Sequence, residues 1–408
     1  MTDLTVEPAR PEEFDGIAAL CARELGVGAA YFATRMRRDP QNLPGAPLVV
    51  RDAGRVVSTV HAIGFDLAFG SARVPCGGIA NVVTDPAWRK RGLARRLLAA
   101  AHELMRADGR PLSLLSTQIP GFYQPLGYEP SPRRETHLLR LRPPAGAGPG
   151  PVVRAIDFGR DRAALLAIRS RYAAGFTGTI PAAEAVWERQ PEWTTVYPKE
   201  EPACALVAED SHAQPAAYLR ATADPDHTWS KVLEFGTLPG AEESTRALAR
   251  AYLREAFLRG VRGLQYPAPC FELGAALAPF TEAPVDIPAD WILLRIAYLA
   301  GFLRALAPEL AARAARAGVA RGAVVIGYRD QTATVRLNED RVEVEATASG
   351  ELPRAVLEPA RWIEVFSGAK PFSLQPFARA STVGDREIVL LDALFPRGRP
   401  VFWEIDAF

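Results

Sequence analysis

The stretch "DPAWRKRGLARRLL", residues 85–98, sets five basic side chains around one glycine directly after an apolar run. Upstream, "VPCGGIANVVTDP" (74–86) is an apolar strand that should end at Pro86, which has no N–H for a ladder. Downstream, Leu93, Leu97, Leu98, Ala101, Leu104 and Met105 share one face of a helix spanning 92–108. Asp108-Gly109 stops that helix, and "PLSLLST" (111–117) returns as a strand. Strand, basic glycine turn, helix, strand is an α/β crossover unit.

A glycine turn that opens a helix exposes backbone N–H groups at the positive end of the helix dipole, where a pyrophosphate can be held. Gly92 permits close approach of the backbone, Ala94 leaves room beside the phosphates, and Lys90, Arg91 and Arg95 add cationic contacts. The alternative is a solvated basic helix start. Basic residues oppose the dipole at a helix N-terminus, so without an anion the arrangement is mildly unfavourable. A nucleic-acid patch is disfavoured because no basic and aromatic interleaving extends beyond these residues.

The whole chain supports a local explanation. Its 408 residues carry 48 Lys and Arg against 47 Asp and Glu, without the broad basic surplus of a nucleic-acid or anionic-membrane binder. That length implies two or three domains. Cys21, Cys76, Cys204 and Cys270 lie far apart with no CxxC pair, so they read as small hydrophobes of a reduced compartment and no metal site is expected. "MTDLTVEPARPEEF" lacks a basic-then-apolar leader, and no apolar run approaches the ~18 residues of a membrane helix. A cytoplasmic protein without membrane partners is the expectation.

"RPPAGAGPGP" (142–151) is the clearest linker, and a second break falls near "TEAPVDIPAD" (281–290). The expected domains are therefore 1–145, 151–288 and 289–408. The first begins with a helix in "PEEFDGIAALCARELG" and a hairpin turning at Ala53-Gly54. The second repeats the order hairpin, strand, helix (242–259), strand, as a duplication would. Where the first copy has "WRKRGLA", the second has "GAEESTR", and Glu242 and Glu243 would repel a pyrophosphate. The third segment reads as one or two helices over 291–317, alternating strands, then a helix in "PRAVLEPARWIEVFSG", an α+β domain without metal or nucleophile spacing.

A second motif, "GFYQPLGYEP" (121–130), follows the strand after the helix. The R-x-x-G-x-A turn after a strand ending in proline, followed by this Tyr-x-x-x-Gly-Tyr loop, resembles the GCN5-related N-acetyltransferase (GNAT) superfamily. The three-segment layout, "DWILLRI" (290–296) and the C-terminal "LDALF" and Phe408 are similar to its enhanced intracellular survival (Eis-type) branch. The resemblance implies an α/β fold of tandem GNAT-like domains, the second lacking the cofactor turn. A sterol-carrier-protein-like α+β domain would follow. It implies acetyl-CoA as donor, with backbone groups of Val82, Val83 and Thr84 along the pantetheine arm and the turn Lys90, Arg91, Gly92, Leu93, Ala94 and Arg95 on the pyrophosphate. Tyr123 matches the family's general acid and the Phe408 carboxylate its general base. The implied acceptor is a primary amine of a cationic small molecule, aminoglycoside or polyamine-like, or an exposed lysine. A homo-oligomer, trimer or hexamer, is implied as well.

A phenol of ordinary pKa about 10 can protonate a departing thiolate, whereas an α-carboxyl near 3.5 is a weak base unless burial raises it. Other readings stay open: Tyr123 and Tyr128 as packed aromatics, Phe408 as a frayed end. Glu404 and Asp406 are either solvated surface or a lure for cationic amines. None of the five histidines is needed by this chemistry, and His102 reads as surface or packing. Asn81 and Thr84 make the strand more polar than usual for the superfamily. The alternative function is a non-catalytic CoA, acyl-CoA or lipid carrier.

Overall fold

The computed structural model describes residues 4–145, 150–181, 202–223, 228–289 and 291–402. The first part of the chain supplies strands β1 (Val6–Pro8), β2 (Leu48–Asp52), β3 (Arg55–Phe69), β4 (Ala72–Thr84), β5 (Leu112–Ser116), β6 (Glu129–Pro130) and β7 (Arg134–Leu139). Then come β8 (Val153–Ala155), β9 (Pro202–Glu209), β10 (Pro215–Ala223), β11 (Trp229–Thr237), β12 (Gly263–Pro267), β13 (Ala283–Pro288) and β14 (Ile292–Ile296). The last part gives β15 (Arg321–Tyr328), β16 (Gln331–Asn338), β17 (Arg341–Glu345) and β18 (Arg354–Val356).

The described residues divide into two compact units, the larger built from 4–132 and 291–400, the other from stretches within 133–289 with 401–402. In the larger unit the main sheet runs β1-β2-β3-β4-β5-β14-β6. Its hairpin turns at Ala53 and Gly54, both at positive φ (45° and 81°), as a two-residue turn requires. The helix Leu93–Ala107 packs its apolar stripe on this sheet, burying Leu93, Leu97, Leu98, Ala101 and Met105 beside Val60, Ala62 and Ile79. Burying each of these large side chains contributes about 1.5–3 kcal/mol. Gly77 lets the helix come that close, since a Cβ there would sit 2.3 Å from the Met105 sulfur.

In the second unit the sheet runs β13-β7-β12-β11-β10-β9-β8, the same order with β8–β12 for β1–β5, β7 for β14 and β13 for β6. The helix Glu242–Leu258 buries Leu248, Ala249, Tyr252 and Leu253 on it. The duplication is therefore architectural: each half is a mixed α/β sheet with one parallel pair, β4 with β5 and β11 with β12.

Two sequence expectations change. Residues 134–139 fall inside the expected first domain (1–145), yet they form β7, paired with β12 and β13 of the second sheet. Residues 292–296, expected to open a helix of the domain 289–408, form β14, held between β5 and β6. A short apolar run has no period that separates strand from helix, and long-range partners on both edges decide it. The helix proper is Leu299–Arg316. With β15–β18 in the order β17-β16-β15-β18 it forms an α+β layer in the larger unit.

Candidate active site

The site grows from the way β4 and β5 part. Their parallel ladder pairs Cys76–Ile79 with Leu112–Leu115 and then ends, while β4 runs on to Thr84. On its other side β4 holds an irregularity: Thr59 pairs with Val83 and His61 with Ala80, so Asn81 and Val82 oppose the single residue Val60. Asn81 takes φ 51°, a left-handed value that asparagine tolerates better than other side chains but less freely than glycine. This bulge re-aims the backbone of Val82 and Val83 just where the two strands separate. Ligands of open α/β sheets bind at this end, outside the carboxyl termini of parallel strands.

Past Thr84 the chain is pinned before it turns. The Asp85 carboxylate caps the short helix Pro86–Trp88 by accepting from the Ala87 N–H at 3.1 Å, and it pairs with Arg23 and Arg55. Arg89 donates to the Thr84 carbonyl at 3.2 Å and pairs with Glu24. The acids beside the turn are thereby neutralised. Lys90 (φ 62°) and Gly92 (φ 76°) carry positive φ, which curls the backbone into the start of the helix Leu93–Ala107. The N-cap is Gly92, with no side chain to cap the helix and no acid in its first turn. The first intrahelical bond runs from the Arg96 N–H to the Gly92 carbonyl (3.1 Å). The N–H groups of Leu93, Ala94 and Arg95 are therefore the orphan donors of the helix end.

A cavity of about 470 Å³ lies against this turn, lined by Val82, Thr84, Gly92, Ala94 and Arg95 on one side and by Ile119, Phe122 and Tyr123 on the other. Lys90 and Leu93 also line it, and Leu93 belongs to the core beneath. Lys90 and Arg95 are exposed and carry no ion pair among the described residues. Arg91 lies elsewhere: its guanidinium stacks over the Trp88 ring at 4.4 Å. Val83 is buried, and its carbonyl accepts from the Ser58 hydroxyl at 2.9 Å. Unsatisfied N–H groups, two free cations and open space before Gly92 fit a diphosphate.

Tyr123 ends the short helix Pro120–Tyr123, which Pro120 starts. Its ring packs edge-on against Phe122 (4.9 Å between centroids) and Tyr128 (6.0 Å). The Tyr123 hydroxyl makes no hydrogen bond among the described residues, and burial pushes its pKa up to about 12. Tyr128 is different. Fully buried, its hydroxyl meets the Ser113 hydroxyl at 2.6 Å and His102 Nε2 at 2.9 Å. Tyr128 braces the fold, and Tyr123 lines the cavity. Sequence reasoning passed over His61, which lies behind the bulge, 2.8 Å from Asn42 Oδ1. Phe408, Glu404 and Asp406 lie outside the described residues, which end at Phe402.

The counterpart in the second unit is a cavity of about 590 Å³ lined by Pro239, Gly240, Glu242 and Thr245, with Tyr172 and Glu272 opposite. The helix there has Glu242 and Glu243 in its first turn. The Tyr172 hydroxyl donates to the Glu272 carboxylate at 2.6 Å. Among the described residues no cluster of His, Cys, Asp or Glu could hold a metal ion, and no helix is long and apolar enough to cross a membrane.

A family model described as an acetyltransferase (GNAT) domain matches residues 5–131. No curated protein matches the sequence. Among solved structures, the chain is similar to a protein of unknown function from Enterococcus faecalis described as a probable N-acyltransferase. That match has 15% identity, a TM-score of 0.74 and full coverage of both chains. It is similar to a GCN5-related N-acetyltransferase from Anabaena variabilis, with 14% identity, a TM-score of 0.72 and coverage of 99% of this chain and 100% of that one. Eis1 from Mycobacterium abscessus matches at 17% identity and TM-score 0.65, covering 99% and 100%. At such identities the likeness is one of fold. Residues 5–131 thus match a GNAT acetyltransferase domain, a family whose enzymes take their acetyl group from acetyl-CoA.

Proposed function

We propose, from the premise that residues 5–131 are a GNAT acetyltransferase domain, that this protein acetylates primary amines of cationic small molecules, aminoglycoside or polyamine-like, or of exposed lysines, in the manner of the Eis-type branch. The observation that carries the reading is one cavity shared by the basic turn and Tyr123. In it the N–H groups of Leu93, Ala94 and Arg95, with Lys90 and Arg95, would hold the diphosphate of acetyl-CoA. Bound there, acetyl-CoA supplies an acetyl group activated as a thioester. The backbone of Val82, Val83 and Thr84, turned by the bulge at Asn81, lies along the parted strands to receive the pantetheine arm and to stabilise negative charge on the thioester oxygen.

Tyr123 holds a proton on its hydroxyl throughout the neutral range, because burial raises its pKa, and gives it to the departing thiolate. The proposed base is the carboxylate of Phe408, orienting the incoming amine and taking its proton. In the same reading the α+β layer from Leu299 onward is sterol-carrier-like and leads to this terminus, the unit that starts at Arg133 is a second GNAT-like domain without donor binding, and the protein works in the cytoplasm as a homo-oligomer. The test is product formation from acetyl-CoA with spermidine, an aminoglycoside and a lysine peptide. Acetylated amine, lost when Tyr123→Phe is combined with deletion of Phe408, is expected; absence of any product from the unaltered protein would defeat the reading.

A further inference from the structure

We propose that His61 is a positioning residue for this acetyl transfer: through Asn81 it holds the β4 bulge that presents the backbone of Val82 and Val83 to the thioester. The inference rests on the acetyl-transfer reading above and adds to it a residue that never touches substrate.

The polar chain has one direction, and its chemistry can be worked out atom by atom. Asn42 Nδ2 donates to the carbonyls of Arg35 and Met36, each at 3.0 Å, so both of its hydrogens are committed. Its Oδ1, 2.8 Å from His61 Nε2, is therefore an acceptor, and His61 must donate from Nε2. A neutral imidazole with its hydrogen on Nε2 presents a lone pair at Nδ1. Asn81 Nδ2 lies 3.5 Å from that atom and donates to it. The last turn of the helix Ala29–Arg38 is thereby connected, through Asn42 and His61, to the one residue of β4 with left-handed backbone.

The middle of the chain is buried and its ends are half-buried: His61 is 1% exposed between fully buried Val60 and Ala62, while Asn42 and Asn81 reach partly toward the surface. Removal from water pushes the His61 pKa down to about 3. The Arg35 guanidinium works in the same direction, and the Asp39 carboxylate works against both. The ring stays neutral at physiological pH, which the acceptor role of Nδ1 requires. A second proton would place an N–H against the Asn81 amide and break the connection. Asn81 needs such a restraint because, unlike glycine, it does not adopt positive φ freely. Without it the extra residue of β4 can relax, and the backbone at Val82, which lines the cavity, loses its placement. The polar character of Asn81 within "NVVT" has a reason in this contact.

Two measurements test the proposal. Nitrogen NMR of the imidazoles in the intact protein should show His61 as the neutral Nε2–H tautomer from pH 5 to 8; an Nδ1–H tautomer or a charged ring would overturn it, whatever the variants do. In kinetics, His61→Phe should still bind CoA by calorimetry, its diphosphate contacts at the turn being untouched, while kcat falls about 10- to 100-fold, less than the roughly 100- to 1000-fold cost of removing an oxyanion donor outright. His61→Gln, whose amide can both donate to Asn42 and accept from Asn81, should recover most of that loss. Unchanged kcat in a folded His61→Phe that binds CoA would contradict the positioning role alone. An unaltered protein that neither binds CoA nor turns over would instead remove the acetyl-transfer reading, and the tautomer would still report on the chain.

Discussion

Two turns open two helices of the same architecture, at Lys90–Arg95 and at Gly240–Thr245, and they carry opposite charge. Each faces a cavity of ligand size, about 470 Å³ and 590 Å³, beside a parallel pair of strands. In the first, the N-cap is a glycine at φ 76° with open space before it and no acid in the first turn. In the second, the N-cap is Ala241, and Glu242 and Glu243 supply the negative charge that a helix N-terminus attracts. The tyrosines lining the two cavities come from different places in the repeat and differ too: the Tyr123 hydroxyl has no partner among the described residues, while that of Tyr172, on the helix Phe158–Ala173, is committed to Glu272. A duplicated fold costs the chain nothing in architecture, and its chemistry is kept or lost in a handful of residues around one turn.

The largest expected effect separates the tyrosines. Tyr123→Phe should lower kcat by about 100-fold or more with CoA affinity retained, as expected for loss of a general acid. Tyr172→Phe should leave kcat unchanged. Equal losses in steady-state kinetics would erase the contrast. Next comes charge: Lys90→Glu with Arg95→Glu should weaken CoA binding by about 10- to 100-fold in calorimetry, as loss of charge-assisted contacts predicts. A conformational variant, Gly92→Val, puts a β-branched residue at φ 76° and should weaken binding by about 10-fold without unfolding the domain.

How far the sequence carries this account depends on the range of the interactions. The turn, its helix and Tyr123 are legible because local signals suffice: a stop at Pro86, an apolar stripe over 93–105, a proline-led loop at 120–126. The strands 134–139 and 292–296 are not, because membership in a sheet is set by partners far along the chain. Asn81 reads only as an unusual polar residue until the register shows two residues opposite one. His61 reads as dispensable because its burial and both of its partners, Asn42 and Asn81, are tertiary facts. Arg91 counts as a phosphate contact by spacing alone, and its stacking on Trp88 is a matter of rotamer.

Smaller effects sharpen the picture. His61 and His102 are held neutral by burial, with pKa values lowered to about 3 and about 4; Arg295 also lowers that of His102, and Glu103 opposes it. The unfolded chain takes up these protons near pH 6.5, so the stability they contribute is full above that pH and is lost as pH falls toward 4 and 3. His61→Gln should flatten the acid limb of a thermal-melt profile; a profile unaltered between pH 6.5 and 4 would contradict the burial assigned to this ring. The smallest change is expected in the second turn. Glu242→Gln with Glu243→Gln should cost about 0.3–1 kcal/mol per charge from the helix dipole in chemical denaturation and leave CoA binding as it was.

The most direct measurement is a calorimetric titration of CoA into the intact protein and into the Lys90→Glu, Arg95→Glu variant. Heat corresponding to one site per chain, abolished or weakened at least tenfold in the variant, is the predicted result. No heat from the intact protein, two equivalent sites per chain, or undiminished binding by the variant would contradict the claim that the first turn alone holds the donor.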